Sequence, residues 1–81
     1  TTMDIISDLM KIYPTAHLHN GYRGPGLTWR AGITRWQVNS EDDIGDIVEI
    51  LGCGRDEYFP PRLCYTVEEA ISYINEILGI N

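Results

Sequence analysis

Residues 27–38 read Leu-Thr-Trp-Arg-Ala-Gly-Ile-Thr-Arg-Trp-Gln-Val, and the parsing of this stretch decides the fold. It is rich in Thr, Trp, Ile and Val, side chains that suit a pleated, half-buried surface. Leu27, Trp29 and Ala31 share one face of an extended chain, whereas Trp36 and Val38 fall on the other. The phase therefore changes at Gly32. Either a β-bulge absorbs one residue there, or Gly32-Ile33 forms a tight turn between two short strands. Isoleucine is a poor second residue for such a turn, so the bulge is the preferred expectation.

Upstream, Ala16 and Leu18 alternate with His17 and His19, the pattern of a strand with one buried face. Asn20-Gly21 and Gly24-Pro25-Gly26 then mark a turn region with Tyr22 and Arg23 at its tip. Further upstream, Ile6, Leu9, Met10 and Tyr13 form one apolar stripe, predicting a helix over Met3–Tyr13. Asp4 in its first turn and Lys11 in its last agree with the helix dipole, and Pro14 ends it.

Downstream, Ser40 and the acids behind it predict the start of a second helix. Ile44, Ile47, Val48 and Leu51 repeat at helical spacing, with Gly52 as a C-terminal cap. A competing reading makes residues 46–51 a buried strand, because aliphatic and β-branched side chains crowd there. Pro60-Pro61 precedes a short edge strand at Arg62–Tyr65. Thr66 and Glu69 then form a capping box, and Val67, Ala70, Ile71, Ile74 and Leu78 line one face of a last helix that Gly79 stops.

The expected architecture is a single α+β domain over residues 1–81. A small antiparallel sheet of three or four strands carries two or three helices on one face. A chain of 81 residues holds one core and buries only about 60–65% of its unfolded surface. Hydrophobic residues make up 43% and charged residues 22%, which excludes a disordered composition. No apolar run approaches the roughly 18–20 residues needed to span a bilayer. The N-terminal residues lack the features of a signal peptide, so a cytoplasmic location is expected. Cys53 and Cys64 are too few for a disulfide framework and read as reduced thiols.

Charge is the most informative global property. The net value is −6, which favours basic partners over nucleic acid or membrane surfaces. Residues 9–40 hold Lys11, Arg23, Arg30 and Arg35 and no acid. Residues 41–57 then carry Glu41, Asp42, Asp43, Asp46, Glu49, Asp56 and Glu57 against Arg55 alone. This acidic stretch, joined by Glu68, Glu69 and Glu76, is the first candidate binding surface. It would face a protein partner with a basic surface, such as a nucleic-acid-processing complex. The second candidate is a basic aromatic face of Tyr22, Arg23, Trp29, Arg30, Arg35 and Trp36. Exposed there, rings and guanidinium groups would hold a nucleotide or single-stranded nucleic acid. A homo-oligomer is compatible with that alternative.

No catalytic constellation emerges. His17 and His19 share a strand face, but a metal site needs a third ligand from Cys53, Cys64 or Asp56, and the spacing follows no zinc pattern. Gly21–Gly26 matches neither a P-loop nor G-x-G-x-x-G. Neither metal nor cofactor is expected, and the expected function is non-enzymatic binding. In size and acidity the chain looks like the small inhibitors made by phages and mobile elements and like bacterial immunity proteins. That likeness is one of composition and transfers no site residue.

Overall fold

Trp36 organises the interior, because three strands and a helix meet around its indole. In the computed structural model, which describes residues 2–31, 34–41, 47–54 and 58–79, this ring is completely buried. It stacks on Phe59, with centroids 6.2 Å apart and planes 11° from parallel. Tyr73 meets it edge-on, also at 6.2 Å.

The described residues form helix α1 (Thr2–Ile12), strands β1 (His17–Gly21), β2 (Gly24–Ala31), β3 (Thr34–Ser40), β4 (Val48–Cys53) and β5 (Tyr58–Cys64), and helix α2 (Val67–Leu78). The strands make one five-stranded antiparallel meander in sequence order. Both helices cover the same face of it. Tyr13, just after α1, stacks on Trp29 at 4.7 Å, and α2 brings Ala70, Tyr73 and Ile74 into the same core as Ile5, Ile6 and Leu9. No described helix is long and apolar enough to cross a membrane.

The α+β class and the helices on one face agree with the sequence reading; the sheet is larger than expected. Three differences account for this. First, β2 and β3 are separate strands, with Ala31 directly opposite Thr34 and Trp29 opposite Trp36. The preferred bulge is replaced by a two-residue connection at positions 32–33, which themselves lie outside the described residues. Such a connection puts residues 31 and 34 on one face, which accounts for the phase change.

Second, residues 48–53 form strand β4 and not the end of a helix, so Gly52 is no helix cap. Val48, Ile50 and Gly52 are buried on the helix-covered side while Glu49 and Leu51 alternate toward the other. Six residue pairs join this strand to β3. Period-two burial and cross-strand pairing outweigh the local helical spacing. Ser40 accordingly ends β3, with its hydroxyl donating to the Pro25 carbonyl at 2.6 Å. The stretch 42–46, expected in the helix, lies outside the described residues.

Third, β5 begins at Tyr58, four residues before the expected start at Arg62. It passes through Pro60-Pro61 because it is an edge strand, where a missing backbone donor costs no ladder bond, and its register with β4 shifts between Ile50 and Gly52. Tyr73 Oη fastens this edge by donating to the Pro60 carbonyl at 2.7 Å.

The last helix follows its sequence signals. The Thr66 hydroxyl accepts from the Glu69 N–H at 3.1 Å, and the Glu69 carboxylate reaches back to the Tyr65 N–H at 3.4 Å. Gly79 closes the helix in the left-handed conformation with φ 74°.

Two stability tests follow from this packing. A Cβ at Gly52 would stand 2.9 Å from Trp36 Cζ3 and 3.2 Å from Phe59 Cδ2. Gly52→Ala should therefore cost about 1–3 kcal/mol of overpacking; a change within a few tenths in urea denaturation would contradict the β4 assignment. Thr66→Ala should cost about 0.5–2 kcal/mol through loss of the cap, read as a lower denaturation midpoint with unchanged slope.

Candidate functional site

Strand pairing arranges the helix-free face of the sheet into cross-strand rows. Arg30, Arg35, Cys53 and Tyr58 are successive direct partners from β2 to β5. The next row runs His17, Thr28, Gln37, Leu51 from β1 to β4. A third runs His19, Gly26, Asn39, Glu49, Leu63. Alternation forces this composition: each of these residues neighbours one that points into the core. Among the described residues, no element covers this face.

The middle of the face is internally satisfied. Gln37 Nε2 donates to Asn39 Oδ1 at 3.0 Å, and Asn39 Nδ2 donates to Glu49 Oε1 at 3.5 Å. The end nearest the β2–β3 connection is not. Arg30 and Arg35 stand directly opposite one another, both exposed, and neither joins an ion pair among the described residues. Directly opposed like charges destabilise a sheet. Together with Thr15, His17, Thr28 and Trp29 they line a hollow of about 410 Å³. β1 pairs only as far as Thr28, so β2 runs on past it along this hollow.

A second hollow, of about 320 Å³, lies at the opposite end. It brings Glu41 and Glu49 together with Tyr22, Arg23, Asn39 and Ser40. Members of the two surfaces expected to be separate thus share one site. Arg23 is committed there, donating from Nη1 to the Glu41 carbonyl at 2.8 Å. Tyr22 is fully exposed at the turn between β1 and β2.

The basic aromatic face is not assembled as expected. Trp29 and Trp36 are 3% and 0% exposed beneath the helices, so neither offers a ring for base stacking. Their indole N–H groups meet no acceptor among the described residues. Arg30 and Arg35 lie on the opposite side of the sheet from these rings. Of the acidic set, Glu41 and Glu49 are described, whereas Asp42, Asp43, Asp46, Asp56 and Glu57 lie outside the described residues. Glu41 and Gly54, the described residues flanking the two acidic segments, lie toward opposite ends of β4 and not along one helix. Glu68, Glu69 and Glu76 belong to α2.

His17 and His19 do share a face, as their spacing implies. Cys53 is on that face but in β4, three strands across, which is roughly 14 Å; Cys64 is buried with the core, and Asp56 lies outside the described residues. No three metal-ligating side chains gather among the described residues. Thr28, Gln37, Asn39 and Cys53 were not read as site residues. The signal for Thr28 and Gln37 is the 31–34 pairing, which sets the β2–β3 register; Cys53 and Glu49 join those rows through the separate β3–β4 register.

No protein-family model, curated protein or solved structure matches this chain significantly.

The two thiols, both free, report on the two faces. Burial raises the Cys64 pKa, the Glu69 carboxylate raises it further, and Arg62 opposes the shift. The reactive thiolate is thus disfavoured and sealed in the core, while Cys53 is exposed beside Arg35. Ellman's reagent at neutral pH should titrate one thiol rapidly and the second only with global unfolding; Cys53→Ser should remove the rapid phase.

Proposed function

We propose that this chain is a non-enzymatic binding domain that acts by protein–protein contact through the helix-free face of its sheet. The observation that carries this reading is the face itself. Both helices lie on one side, and the other side presents an apolar flank of Leu51, Tyr58 and Leu63 beside a polar centre and an arginine pair that joins no ion pair among the described residues. Exposed side chains of this mixed character suit a partner surface better than a reaction centre.

Size supports a contact that extends beyond the sheet. Five strands at about 4.8 Å and six residues at about 3.3 Å give roughly 475 Å² of plane. A standard interface buries about 800 Å² per partner. Asp42, Asp43, Asp46, Asp56 and Glu57 follow Glu41 and Gly54 in the sequence and add negative charge to the chain. The net charge of −6 supports a partner that is basic overall, as a nucleic-acid-processing complex would be. Under this reading the acids steer association and the sheet face supplies the contact.

Capture from lysate of the source organism, with mass-spectrometric identification, tests the assignment. Gln37→Lys with Leu63→Asp should abolish capture of the identified partner, while Glu68→Lys on α2 should leave it intact. Asp42→Lys with Asp46→Lys should slow association, most strongly at low salt, because steering between exposed charges is screened over about 8 Å at physiological ionic strength. Capture that survives the face variant but not the acidic variant would move the binding surface to the acids.

A further inference from the structure

Among the described residues, Arg30 and Arg35 are a directly opposed pair of like charges outside any ion pair. Directly opposite residues on an antiparallel pair hold their Cβ atoms about 4.5–5.5 Å apart, so two guanidinium groups share one end of the helix-free face. Neither is engaged in an ion pair or hydrogen bond among the described residues, which include seven of the chain's 12 acids. Both line the same 410 Å³ hollow, into which His17 and the threonines 15 and 28 also face. That volume lies within the ~300–1,000 Å³ typical of small-ligand sites.

We propose that this hollow binds a phosphate monoester, with Arg30 and Arg35 holding its oxygens and Thr28 and His17 completing the shell. The choice of anion follows from donor arithmetic. One guanidinium satisfies a carboxylate through its two-pronged fork. Two guanidinium groups, each with five donors, exceed what two carboxylate oxygens accept. A phosphate monoester carries a charge of about −1.5 to −2 and three acceptor oxygens, matching two cations. Binding turns the repulsive pair into two charge-assisted contacts, which gives a physical reason to keep it.

This site rests on the reading of the helix-free face as the binding surface, but it is tested on the isolated chain. Phenyl phosphate, a short phosphoserine peptide and inorganic phosphate are titrated at constant ionic strength, with benzoate as the carboxylate counterpart of phenyl phosphate. Melting temperature and amide shifts are the readouts. Phenyl phosphate should saturate, raise the melting temperature and move the signals of Thr28, Arg30 and Arg35, with benzoate weaker by roughly tenfold or more. Tighter binding of phenyl phosphate than of the peptide would name a free phosphorylated small molecule as the ligand; the reverse would name a phosphorylated side chain of the partner. Arg35→Glu should raise the melting temperature of the unliganded chain, by replacing repulsion with attraction, and abolish the response to phosphate. Arg30→Gln, checked for folding by circular dichroism, should abolish it too. Equal responses to phenyl phosphate and benzoate, or an undiminished response in both arginine variants, would overturn the proposal. Phosphate binding without partner capture would refute only the protein-contact reading, and capture without phosphate binding would refute only this site.

Discussion

The contact between the Trp36 indole and the bare backbone of Gly52 underlies the rest of this structure. Trp36 and Gly52 are direct cross-strand partners, and Phe59 is the partner of Gly52 on its other side. A glycine at this point lets two aromatic rings close over β4 from neighbouring strands, as rings do over strand glycines elsewhere. Tyr73 then meets the same indole from α2. Strands β3, β4 and β5 and the last helix are therefore held by one group of rings. Any side chain at position 52 pushes on all of them.

The second tryptophan extends the arrangement toward the N-terminus. Trp29 lies opposite Trp36 and stacks on Tyr13, so the cross-strand pair ties one helix to each half of the sheet. Both indoles demand burial, and this commits the helices to a single face. The other face is left to the alternating residues. The same register that opposes Trp29 to Trp36 inward opposes Arg30 to Arg35 outward. Core packing and the exposed arginine pair are thus two consequences of one two-residue connection. A one-residue slip would reverse the faces of every side chain on the strand.

The edges of the sheet are treated differently. β5 carries Pro60 and Pro61 and is clasped by α2 through Tyr73 and through Arg62, whose guanidinium lies 4.3 Å from the Tyr73 ring centroid and 3.5 Å from the Glu76 carboxylate. Prolines on an edge discourage pairing with another chain. β1 is short and ends at Thr28 of its neighbour, leaving the last residues of β2 beside the arginine hollow. The one edge is closed by prolines, a hydrogen bond and contacts of Arg62 with α2; the other opens into the candidate ligand site.

Local physics was enough to read both helices from the amino-acid sequence. Apolar spacing of three and four residues, the Thr66–Glu69 box, Pro14 and Gly79 each act within one turn, so no distant partner is needed to interpret them. The α+β class and the one-sided helix layer followed from that order of elements. The sheet was only partly legible. Residues 46–51 satisfy helical and extended patterns alike, and pairing of Val48–Cys53 with β3 decided between them. The Gly32-Ile33 step allowed either a bulge or a turn, and the Trp29–Trp36 pairing selected two strands. The placement of both tryptophans in the core, and with it the separation of rings from arginines, came from the same pairing. Turns and caps are local interactions, whereas strand register is a contact between segments whose sequence separation carries no record of which face each will bury.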